Sequence, residues 1–387
     1  MKILLIANSI VGEEPGFTGG ESRFIEIAKN WQAQGHEIHL MSSSSGKKLC
    51  ERVGLPVILH ESSADTITSR WAFILRTLKM PFVLCKLLGD FTEGIVYSTN
   101  EQLYDVLPAL YVKLRCGRCV TWATVVHWLP PLLFWRRKSS KLLNSLLFLI
   151  SERMSVYLAG YFGDRLLAVS ASTKEQLLAT YVPKRKIFTV ECGVNYDQVQ
   201  SLVSRYNQEY DAIFIKRLQA VKGVFDLIDI WKEIIRVRPN ARLLVVGEGI
   251  DSDEMKRRIR DNGLDRNILL TGTIYDVKKK YEMLSRSKLF VLPSYEENWA
   301  IVIGEAMAAG VPVIAYDLQE LRTVWKDHYV PVPTGDVAVF AKKIGVLLDD
   351  EEQRMQLSAR AKEFVRCYDW RKIAEKELHI MQVVQKQ

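Results

Sequence analysis

The stretch K-L-F-V-L-P-S-Y-E-E-N-W-A-I-V-I-G-E-A-M-A-A-G-V-P-V-I-A-Y, residues 288–316, holds two apolar runs separated by a loop and a segment of helical character. The runs at 288–293 and 311–316 are typical of buried strands, and residues 300–309 predict a helix. A helix that connects two consecutive strands is the crossover of a parallel sheet, so this stretch predicts an α/β fold.

The same alternation extends outward in both directions. Further strand-like runs, separated by helical patterns, lie at 2–8, 37–43, 166–170, 187–193, 211–217, 241–249 and 267–273. A polar segment at 195–211 resembles a linker. We therefore predict two Rossmann-like, doubly wound domains, at 1–200 and 201–369, that face each other across a cleft. Residues 370–387 are expected to pack back onto the first domain.

The composition is that of a globular protein with a small basic excess. The chain has 387 residues, 48% of them hydrophobic, with a formal net charge of +8 and a pI near 9.0. Such a charge suits anionic ligands or an anionic membrane surface, and it is too small to select between them.

Cysteine usage and hydropathy bound the cellular setting. Only Cys116 and Cys119 are close together among six cysteines, and no second pair or nearby histidine completes a zinc site. We interpret them as reduced thiols of a cytoplasmic protein. The apolar N-terminal run breaks at Asn8, which favours a buried strand over a signal peptide. No uncharged apolar run approaches the ~20 residues of a membrane span.

Two carboxylates, Glu297 and Glu305, flank the predicted strand-to-helix junction. Glu297 follows the strand, and Glu305 lies about 1.5 turns into the helix. Two such acceptors could bind vicinal hydroxyls of a sugar or a ribose, while the helix N-terminus offers unpaired amides to an anion. The alternative is that Glu297 interacts favourably with the helix dipole and Glu305 lies on the surface.

Cations and glycines occur at comparable places elsewhere. Arg217 follows a strand-like run, and Lys222 with Gly223 opens the next helix, a combination that suits a diphosphate. Gly19 and Gly20, before the first helix, permit close backbone approach to a phosphate or sugar. The alternatives are a solvated helix start and an ordinary tight turn.

Together these residues resemble family 4 of the retaining glycosyltransferases (glycosyltransferase group 1), which have the GT-B fold. The matching motifs, in chain order, are G-G-E at 19–21, R-L-x3-K-G at 217–223, V-V-G-E-G at 245–249, L-P-S at 292–294, E-x7-E at 297–305 and E-A-M-A-A-G-V-P-V-I-A at 305–315. They cover nearly the whole chain, and the carboxyl half carries the more specific ones.

The resemblance implies transfer of a sugar from a UDP- or GDP-sugar, with retention and without a metal, between an amino-terminal acceptor-binding and a carboxyl-terminal donor-binding domain. In this family the first Glu of E-x7-E contacts the donor sugar, the second holds the ribose hydroxyls, and the Arg and Lys hold the diphosphate. The implied catalytic residues are Glu297, Arg217, Lys222 and His127. The implied donor-binding residues are Gly19, Gly20, Arg217, Lys222, Glu297, Asn298, Trp299, Ala300, Ile301 and Glu305.

Some features depart from the family pattern or suggest other chemistry. The family has G-F-G or G-F-S where this chain has Asn298-Trp299-Ala300, the place where backbone amides approach the donor sugar. His127 matches a histidine that many family members place beside that sugar; the alternative is a structural histidine. Asp251-Ser-Asp253 spells the D-x-D of metal-dependent sugar transferases, but its place before a helix favours capping. We expect no metal, no nicotinamide cofactor and no nucleic-acid partner.

Two other functions fit the same resemblance. One is a catalytically silent GT-B subunit that binds a sugar nucleotide and serves assembly. The other is a GT-B sugar-nucleotide epimerase, which needs acid/base carboxylates in the amino-terminal domain, and no motif in the sequence indicates them.

Two stretches without acidic residues, 66–89 and 106–151, combine eleven cations with tryptophans, phenylalanines and leucines. Such mixtures suit an anionic membrane interface, so we predict a peripheral protein on the inner face of the membrane with a glycan or lipid-linked acceptor. The cations are Arg70, Arg76, Lys79, Lys86, Lys113, Arg115, Arg118, Arg136, Arg137, Lys138 and Lys141. The alternative is a core helix whose cations extend to solvent.

Overall fold

The computed structural model describes residues 1–10, 19–63, 91–129, 142–203 and 208–383. The chain divides into two compact units: unit 1 comprises Met1–Cys192 and Trp370–Gln387, and unit 2 comprises Gly193–Asp369. The boundary lies at Cys192, whereas the sequence placed it at residue 200. The reason is that the helix Tyr196–Leu202 packs within unit 2, where the Gln200 side-chain amide donates to the Ala308 carbonyl oxygen at 2.5 Å.

Unit 1 contains a seven-stranded sheet in which each pair of neighbouring strands is parallel. Its strand order is β3-β2-β1-β4-β5-β6-β7. The strands are β1 (Lys2–Ala7), β2 (Glu37–Ser43), β3 (Ile58–Ser63), β4 (Gly94–Ser98), β5 (Val120–Val126), β6 (Arg165–Ala168) and β7 (Ile187–Thr189). The order runs outward in both directions from the first strand, which is the doubly wound arrangement.

The helices of unit 1 and the apolar strands form a buried core. The described helices are α1 (Gly19–Ala33), α2 (Ser44–Arg52), α3 (Leu103–Cys116), α4 (Leu142–Phe162), α5 (Ala171–Leu178) and the C-terminal α14 (Trp370–Gln382). Strands β1, β4 and β5 are almost wholly buried because helices cover both faces of a parallel sheet. Helix α14 packs on α1, where the Trp31 indole N–H donates to the Ala374 carbonyl oxygen at 2.9 Å.

A buried ionic network also joins α14 to α1. The Arg23 guanidinium on α1 pairs with the Glu377 carboxylate on α14 and donates to the Tyr97 hydroxyl at 2.7 Å. The Tyr97 hydroxyl in turn donates to Glu377 at 2.8 Å. Because Arg23 and Glu377 are almost fully buried, each charge depends on the other for its stability.

Unit 2 contains a six-stranded parallel sheet with the order β10-β9-β8-β11-β12-β13. The strands are β8 (Tyr210–Ile215), β9 (Leu243–Val246), β10 (Ile268–Leu270), β11 (Ser287–Leu292), β12 (Val313–Tyr316) and β13 (Val330–Val332). The helices are α6 (Tyr196–Leu202), α7 (Val224–Val237), α8 (Ser252–Asp261), α9 (Val277–Ser285), α10 (Ile301–Ala308), α11 (Gln319–Trp325), α12 (Val337–Asp349) and α13 (Glu351–Val365). The stretch 288–316 thus forms β11, α10 and β12, and the predicted α/β class with two Rossmann-like domains is confirmed.

The helices were compared with the length and hydropathy of a membrane span. Within the described ranges, no helix has both the length and the apolar character that crossing a bilayer requires.

Candidate functional site

The site in unit 2 lies where the adjacent strands β8 and β11 end. Their loops are held together at Gly223, which has φ +73° and precedes α7. A Cβ at this position would lie 1.7 Å from the Pro293 carbonyl oxygen, so only glycine permits the approach. The Tyr295 amide also donates to the Val221 carbonyl oxygen at 2.9 Å. These two contacts therefore hold the loop after β8 against the loop after β11.

A second anchor fixes the loop after β11. The Tyr295 hydroxyl donates to Asp226 in the first turn of α7 at 2.6 Å, and the Tyr316 hydroxyl donates to the same carboxylate oxygen. The hydrogen bond to Asp226, together with burial, raises the pKa of Tyr295 to about 12. The phenol is therefore protonated at neutral pH and keeps donating. This contact holds the chain two residues before Glu297.

Glu297 lies between two lysines. Lys216 Nζ is 2.8 Å from one carboxylate oxygen, and Lys222 Nζ is 3.0 Å from the other. The Glu297 side chain is only 4% exposed. Burial opposes ionisation, but the two ammonium groups outweigh it and hold the pKa of Glu297 below its usual range. The carboxylate is therefore ionised, and both of its oxygens have a cationic partner.

The two predicted diphosphate ligands have different surroundings. Lys222 Nζ also donates to the Glu296 carbonyl oxygen at 2.5 Å, and burial lowers the pKa of Lys222 despite the neighbouring Glu297. Arg217 is exposed, and its side chain has no hydrogen bond or ion pair with the residues that the structure describes. Lys216 was missed in the sequence, although its position directly after β8 and next to Arg217 was a usable signal.

Glu305 is buried within helix α10, not on the surface as the alternative interpretation held. Its carboxylate is 2.6 Å from Lys280 Nζ and accepts a hydrogen bond from the Tyr281 hydroxyl at 3.3 Å. Both partners lie on helix α9. Helix α10 itself begins at the same edge of the sheet as the loop that carries Glu297.

Residues 298–301 connect the loop to α10. The Trp299 side chain is buried against Trp325 and Tyr368, with ring centroids 4.5 and 5.3 Å away. Its carbonyl oxygen accepts from the Trp325 indole at 3.0 Å, while its own indole nitrogen is buried and unpaired among the described residues. The Trp299 side chain therefore serves the core. Asn298 and Ile301 are half-buried.

Ala300 adopts a left-handed backbone conformation, with φ 53° and ψ 66°, at the N-cap of α10. This conformation costs a non-glycine residue about 1–2 kcal/mol. Replacing Ala300 by glycine removes that cost but adds about 0.4–1 kcal/mol of unfolded-state entropy. We expect Ala300→Gly to raise the free energy of unfolding of unit 2 by about 0.5–1 kcal/mol, measured by urea denaturation.

Ala309 provides the matched control, because it ends the same helix with a right-handed conformation of φ −71°. Ala309→Gly is expected to destabilise unit 2 by up to about 1 kcal/mol. Equal effects of the two substitutions would contradict the role assigned to the left-handed backbone.

The D-x-D sequence has a different role from the predicted one. Asp251 stands at the N-cap position of α8, but its side chain makes no capping hydrogen bond. Its carboxylate instead accepts from the Ala220 amide at 2.6 Å and so supports the turn that carries Lys222. The Asp253 side chain is almost fully exposed. No group of three potential metal ligands occurs in the part of the chain that the structure describes.

In unit 1, Gly19 and Gly20 form the first residues of α1. Residues 11–18 of the loop before them lie outside the described residues. The helix N-terminus is close in sequence to Arg23, whose charge helps to lower the pKa of His127.

His127 directly follows β5 and is held by residues that follow β4. Its backbone N–H donates to Glu101 Oε2 at 3.0 Å, and its ring Nε2 lies 3.0 Å from the Thr99 carbonyl oxygen. Since a carbonyl only accepts, Nε2 carries the proton. Burial, with the Arg23 charge, lowers the pKa of His127 to about 4, so the ring is neutral at physiological pH.

Three buried carboxyl groups lie in the same part of unit 1 and were not predicted. Asp105 accepts from the Asn8 backbone N–H at 2.7 Å, and burial raises the pKa of Asp105 well above the ordinary value. Burial also raises the pKa of Glu101 to about 7. Burial, together with Glu101, raises the pKa of Glu152 to about 8. In sequence these residues look like ordinary helix and loop acids, because only the tertiary fold buries them.

The raised pKa of Glu152 gives stability a pH dependence. Native Glu152 keeps its proton up to about pH 8, whereas the unfolded chain loses it near 4.5. The resulting stabilisation is complete below pH 4.5 and is lost as the pH rises through 8. We expect Glu152 to lower the free energy of unfolding of unit 1 by about 2 kcal/mol between pH 6.5 and 8, in addition to the pH dependence that the raised pKa values of Glu101 and Asp105 contribute.

Denaturation at several pH values checks this expectation. Glu152→Gln should make the profile less steep than that of the wild type, and Glu175→Gln, which changes an exposed glutamate of the same unit, should not. A Glu152→Gln profile as steep as that of the wild type would contradict the assignment.

Two family sequence models match this chain. The one described as Glycosyltransferase Family 4 matches residues 17–198, and the one described as Glycosyl transferases group 1 matches residues 201–364. The chain belongs to glycosyltransferase family 4. The predicted family is thereby confirmed, and the second model spans the whole Lys216–Glu305 site.

Relatives of this family 4 member include the phosphatidyl-myo-inositol mannosyltransferase of Mycobacterium leprae, 33% identical over 199 residues, 50% of this chain and 52% of that protein. The poly(glycerol-phosphate) alpha-glucosyltransferase of Bacillus subtilis is 24% identical over 40% of this chain and 23% of that protein. The chain thus matches about half the length, or less, of these relatives.

Solved structures share the fold. Anabaena HepE in complex with UDP-glucose is 18% identical with a TM-score of 0.74, covering 100% of both chains. Sucrose-phosphate synthase from Thermosynechococcus elongatus is 19% identical with a TM-score of 0.75, covering 99% of this chain and 98% of that one. At these identities the likeness establishes the fold only.

Proposed function

We propose that this family 4 glycosyltransferase moves a sugar from a UDP- or GDP-sugar to a glycan or lipid-linked acceptor, with retention and without a metal. The observation that carries the proposal is the ionised Glu297 between Lys216 and Lys222, beside the exposed Arg217, at the carboxyl ends of β8 and β11. Ligands of open α/β sheets bind at this edge.

Each group has a chemical role in the proposed reaction. As the bond between the sugar C1 and the diphosphate breaks, negative charge builds on the leaving group, and Arg217 and Lys222 stabilise it in place of a metal. Glu297 accepts hydrogen bonds from sugar hydroxyls, and Glu305 accepts them from the ribose. His127 of unit 1, whose ring is neutral, is proposed as a further catalytic residue.

The relatives' names support the acceptor part of the proposal. The relatives from Mycobacterium leprae and Mycolicibacterium smegmatis are phosphatidyl-myo-inositol mannosyltransferases, so a lipid acceptor and a mannose donor are the first to test. A UDP-sugar is the other donor class to test, since HepE has been crystallised in complex with UDP-glucose.

The test is incubation of the purified protein with radiolabelled UDP- and GDP-sugars and extracted lipids. We expect sugar transfer to the lipid fraction, and NMR of the product should show the anomeric configuration of the donor. EDTA should leave the rate unchanged. Binding of a sugar nucleotide without transfer would support the silent-subunit alternative.

The epimerase alternative also has a structural observation in its favour. Glu101 and Glu152 are buried carboxyl groups whose pKa is raised to about 7 and 8, and Glu101 contacts the His127 backbone. Groups that titrate near neutrality can act as acid or base. NMR of a sugar nucleotide incubated without acceptor distinguishes the two: an inverted sugar carbon with the diphosphate bond intact indicates an epimerase.

We further propose that unit 1 binds the anionic, cytoplasmic face of a membrane through helix α4. Large apolar side chains recur at helical spacing on its exposed face: Ile150 is 53% exposed, Met154 46%, Tyr161 57% and Phe162 49%. A groove along this face is lined almost entirely by apolar atoms. An exposed stripe of this kind suits the interfacial region of a bilayer.

Basic residues adjoin the end of this face. Lys186 Nζ donates to the Gly160, Tyr161 and Gly163 carbonyl oxygens at 3.0, 3.0 and 2.6 Å, which places the exposed Lys184 and Arg185 beside the end of α4. Such cations attract anionic lipid headgroups.

The cations predicted to bind a membrane differ in exposure where the structure describes them. Lys113 pairs with Asp164 at 2.7 Å within unit 1, whereas Arg115 and Arg118 are exposed. The others lie outside the described residues: Arg70, Arg76, Lys79, Lys86, Arg136, Arg137, Lys138 and Lys141.

Flotation with anionic and neutral vesicles tests the membrane proposal. Anionic vesicles should carry the protein, less so at high salt because exposed charges are screened. Ile150→Glu with Met154→Glu should reduce flotation, whereas Val237→Glu, at a 78% exposed position of unit 2, should not. Protein that stays in solution with anionic vesicles at low salt would exclude this surface as a membrane anchor.

A further inference from the structure

Lys216 and Lys222 contact the same carboxylate from differently constrained positions. Lys216 extends the ladder of β8, since its amide donates to the Val246 carbonyl oxygen at 3.1 Å. Gly247 packs so closely that a Cβ there would lie 2.0 Å from the Lys216 carbonyl oxygen. Lys222, by contrast, ends the short 3-10 turn Ala220–Lys222. The sheet therefore fixes the Lys216 backbone, whereas Lys222 lies in a turn.

Binding of a sugar nucleotide would bring a second anionic group to these lysines. In the proposed function Lys222 binds the diphosphate, so its ammonium has to leave Glu297 or share its charge. Glu297 is almost fully buried, and a buried carboxylate without a cation is strongly destabilised. With one lysine gone, Glu297 stays ionised only if the other remains.

The charges in the occupied site balance when Lys222 binds the diphosphate and Lys216 stays paired with Glu297. The diphosphate of a sugar nucleotide carries two negative charges, which Arg217 and Lys222 together neutralise. Lys216 then remains as the partner of Glu297, and the occupied site is neutral. Without Lys216, the same three anionic charges would face only two cations.

We propose that Lys216 is a positioning residue that keeps Glu297 ionised and oriented toward the donor sugar while Lys222 binds the diphosphate. This inference rests on the proposed function, because it requires that a sugar nucleotide binds at this site. Lys216 itself touches no reacting atom; it acts through Glu297, whose two oxygens remain acceptors for sugar hydroxyls.

Proton linkage tests the role of Lys216 without using turnover. Calorimetric titration with UDP-glucose and with GDP-mannose, near pH 6 in two buffers of different ionisation enthalpy, gives the number of protons taken up on binding. The diphosphate of a sugar nucleotide does not titrate in this range. We expect uptake near zero for the wild type and uptake approaching one proton for Lys216→Met, because Glu297 becomes protonated as Lys222 leaves it.

Three further variants sharpen the measurement. Lys216→Met with Glu297→Gln should lose the extra uptake, and Lys216→Arg should restore the wild-type count. Lys288→Met is the matched control, since Lys288 pairs with Asp211 at 2.8 Å at the opposite end of the same sheet. It should bind with the wild-type proton count.

The outcomes separate the two proposals. A wild-type proton count in Lys216→Met, or in Lys216→Gln should the first variant not fold, overturns the role of Lys216 while leaving the proposed function in place. Failure of the wild-type protein to bind any sugar nucleotide overturns the proposed function and this inference with it.

Discussion

Lys222→Ala is expected to lower turnover by ~10²-fold or more, the magnitude typical of removing one preorganised group that stabilises transition-state charge. Lys222 lies in the turn between β8 and α7, with its Nζ 3.0 Å from Glu297. It is less exposed than Arg217, the other cation proposed to bind the diphosphate. Its charge matters most when the leaving group forms, so kcat should fall more than donor affinity.

Initial rates with the donor identified by the sugar panel provide the measurement. Lys288→Ala removes a lysine from a comparable ion pair of unit 2 and should keep the wild-type rate. Arg217→Ala should resemble Lys222→Ala, and Glu305→Ala should act mainly on the KM for the donor. Full activity of Lys222→Ala would show that the diphosphate is stabilised by other groups.

Glu377→Ala is expected to destabilise unit 1 by about 3–5 kcal/mol, the cost of leaving a buried charge without its partner. The substitution leaves the fully buried Arg23 without its carboxylate partner and removes the acceptor of the Tyr97 hydroxyl. Since the chain has two units, denaturation should show the shift in the unit 1 transition alone.

A partly exposed ion pair provides the contrast. Lys376 on the same helix pairs with Glu191 at 2.7 Å, but the two side chains are 45% and 29% exposed. Lys376→Ala should therefore cost at most about 1 kcal/mol. Replacing Arg23 and Glu377 together by methionine should recover most of the stability lost in Glu377→Ala. Equal costs for Glu377→Ala and Lys376→Ala would mean that the buried network does not stabilise the helix contact.

The elements around the opening stretch were predictable because short-range patterns determine them. The strand predicted at 288–293 is Ser287–Leu292, and the helix predicted at 300–309 is Ile301–Ala308. Alternating apolar runs of this length fit a parallel sheet and little else.

The contacts of the site were less predictable. The pairing of Lys216 with Glu297 spans 81 positions and depends on β8 lying next to β11. The burial of Glu101 and Glu152, and the use of Asp251 by a neighbouring loop, depend equally on tertiary packing. Local patterns name the residue types at a sheet edge, but the strand order decides which of them meet.

The crossing of the chain between its units has a consequence for protein engineering. Val194, the second residue of unit 2, and Asp369, its last residue, form a parallel bridge, and the Val194 amide donates to the Tyr368 carbonyl oxygen at 2.7 Å. Unit 2 is therefore an insert whose two ends are adjacent, carried by a unit whose own sequence is discontinuous. Such an insert can be exchanged as a cassette between related proteins, and the sequence of the host unit then stays unchanged.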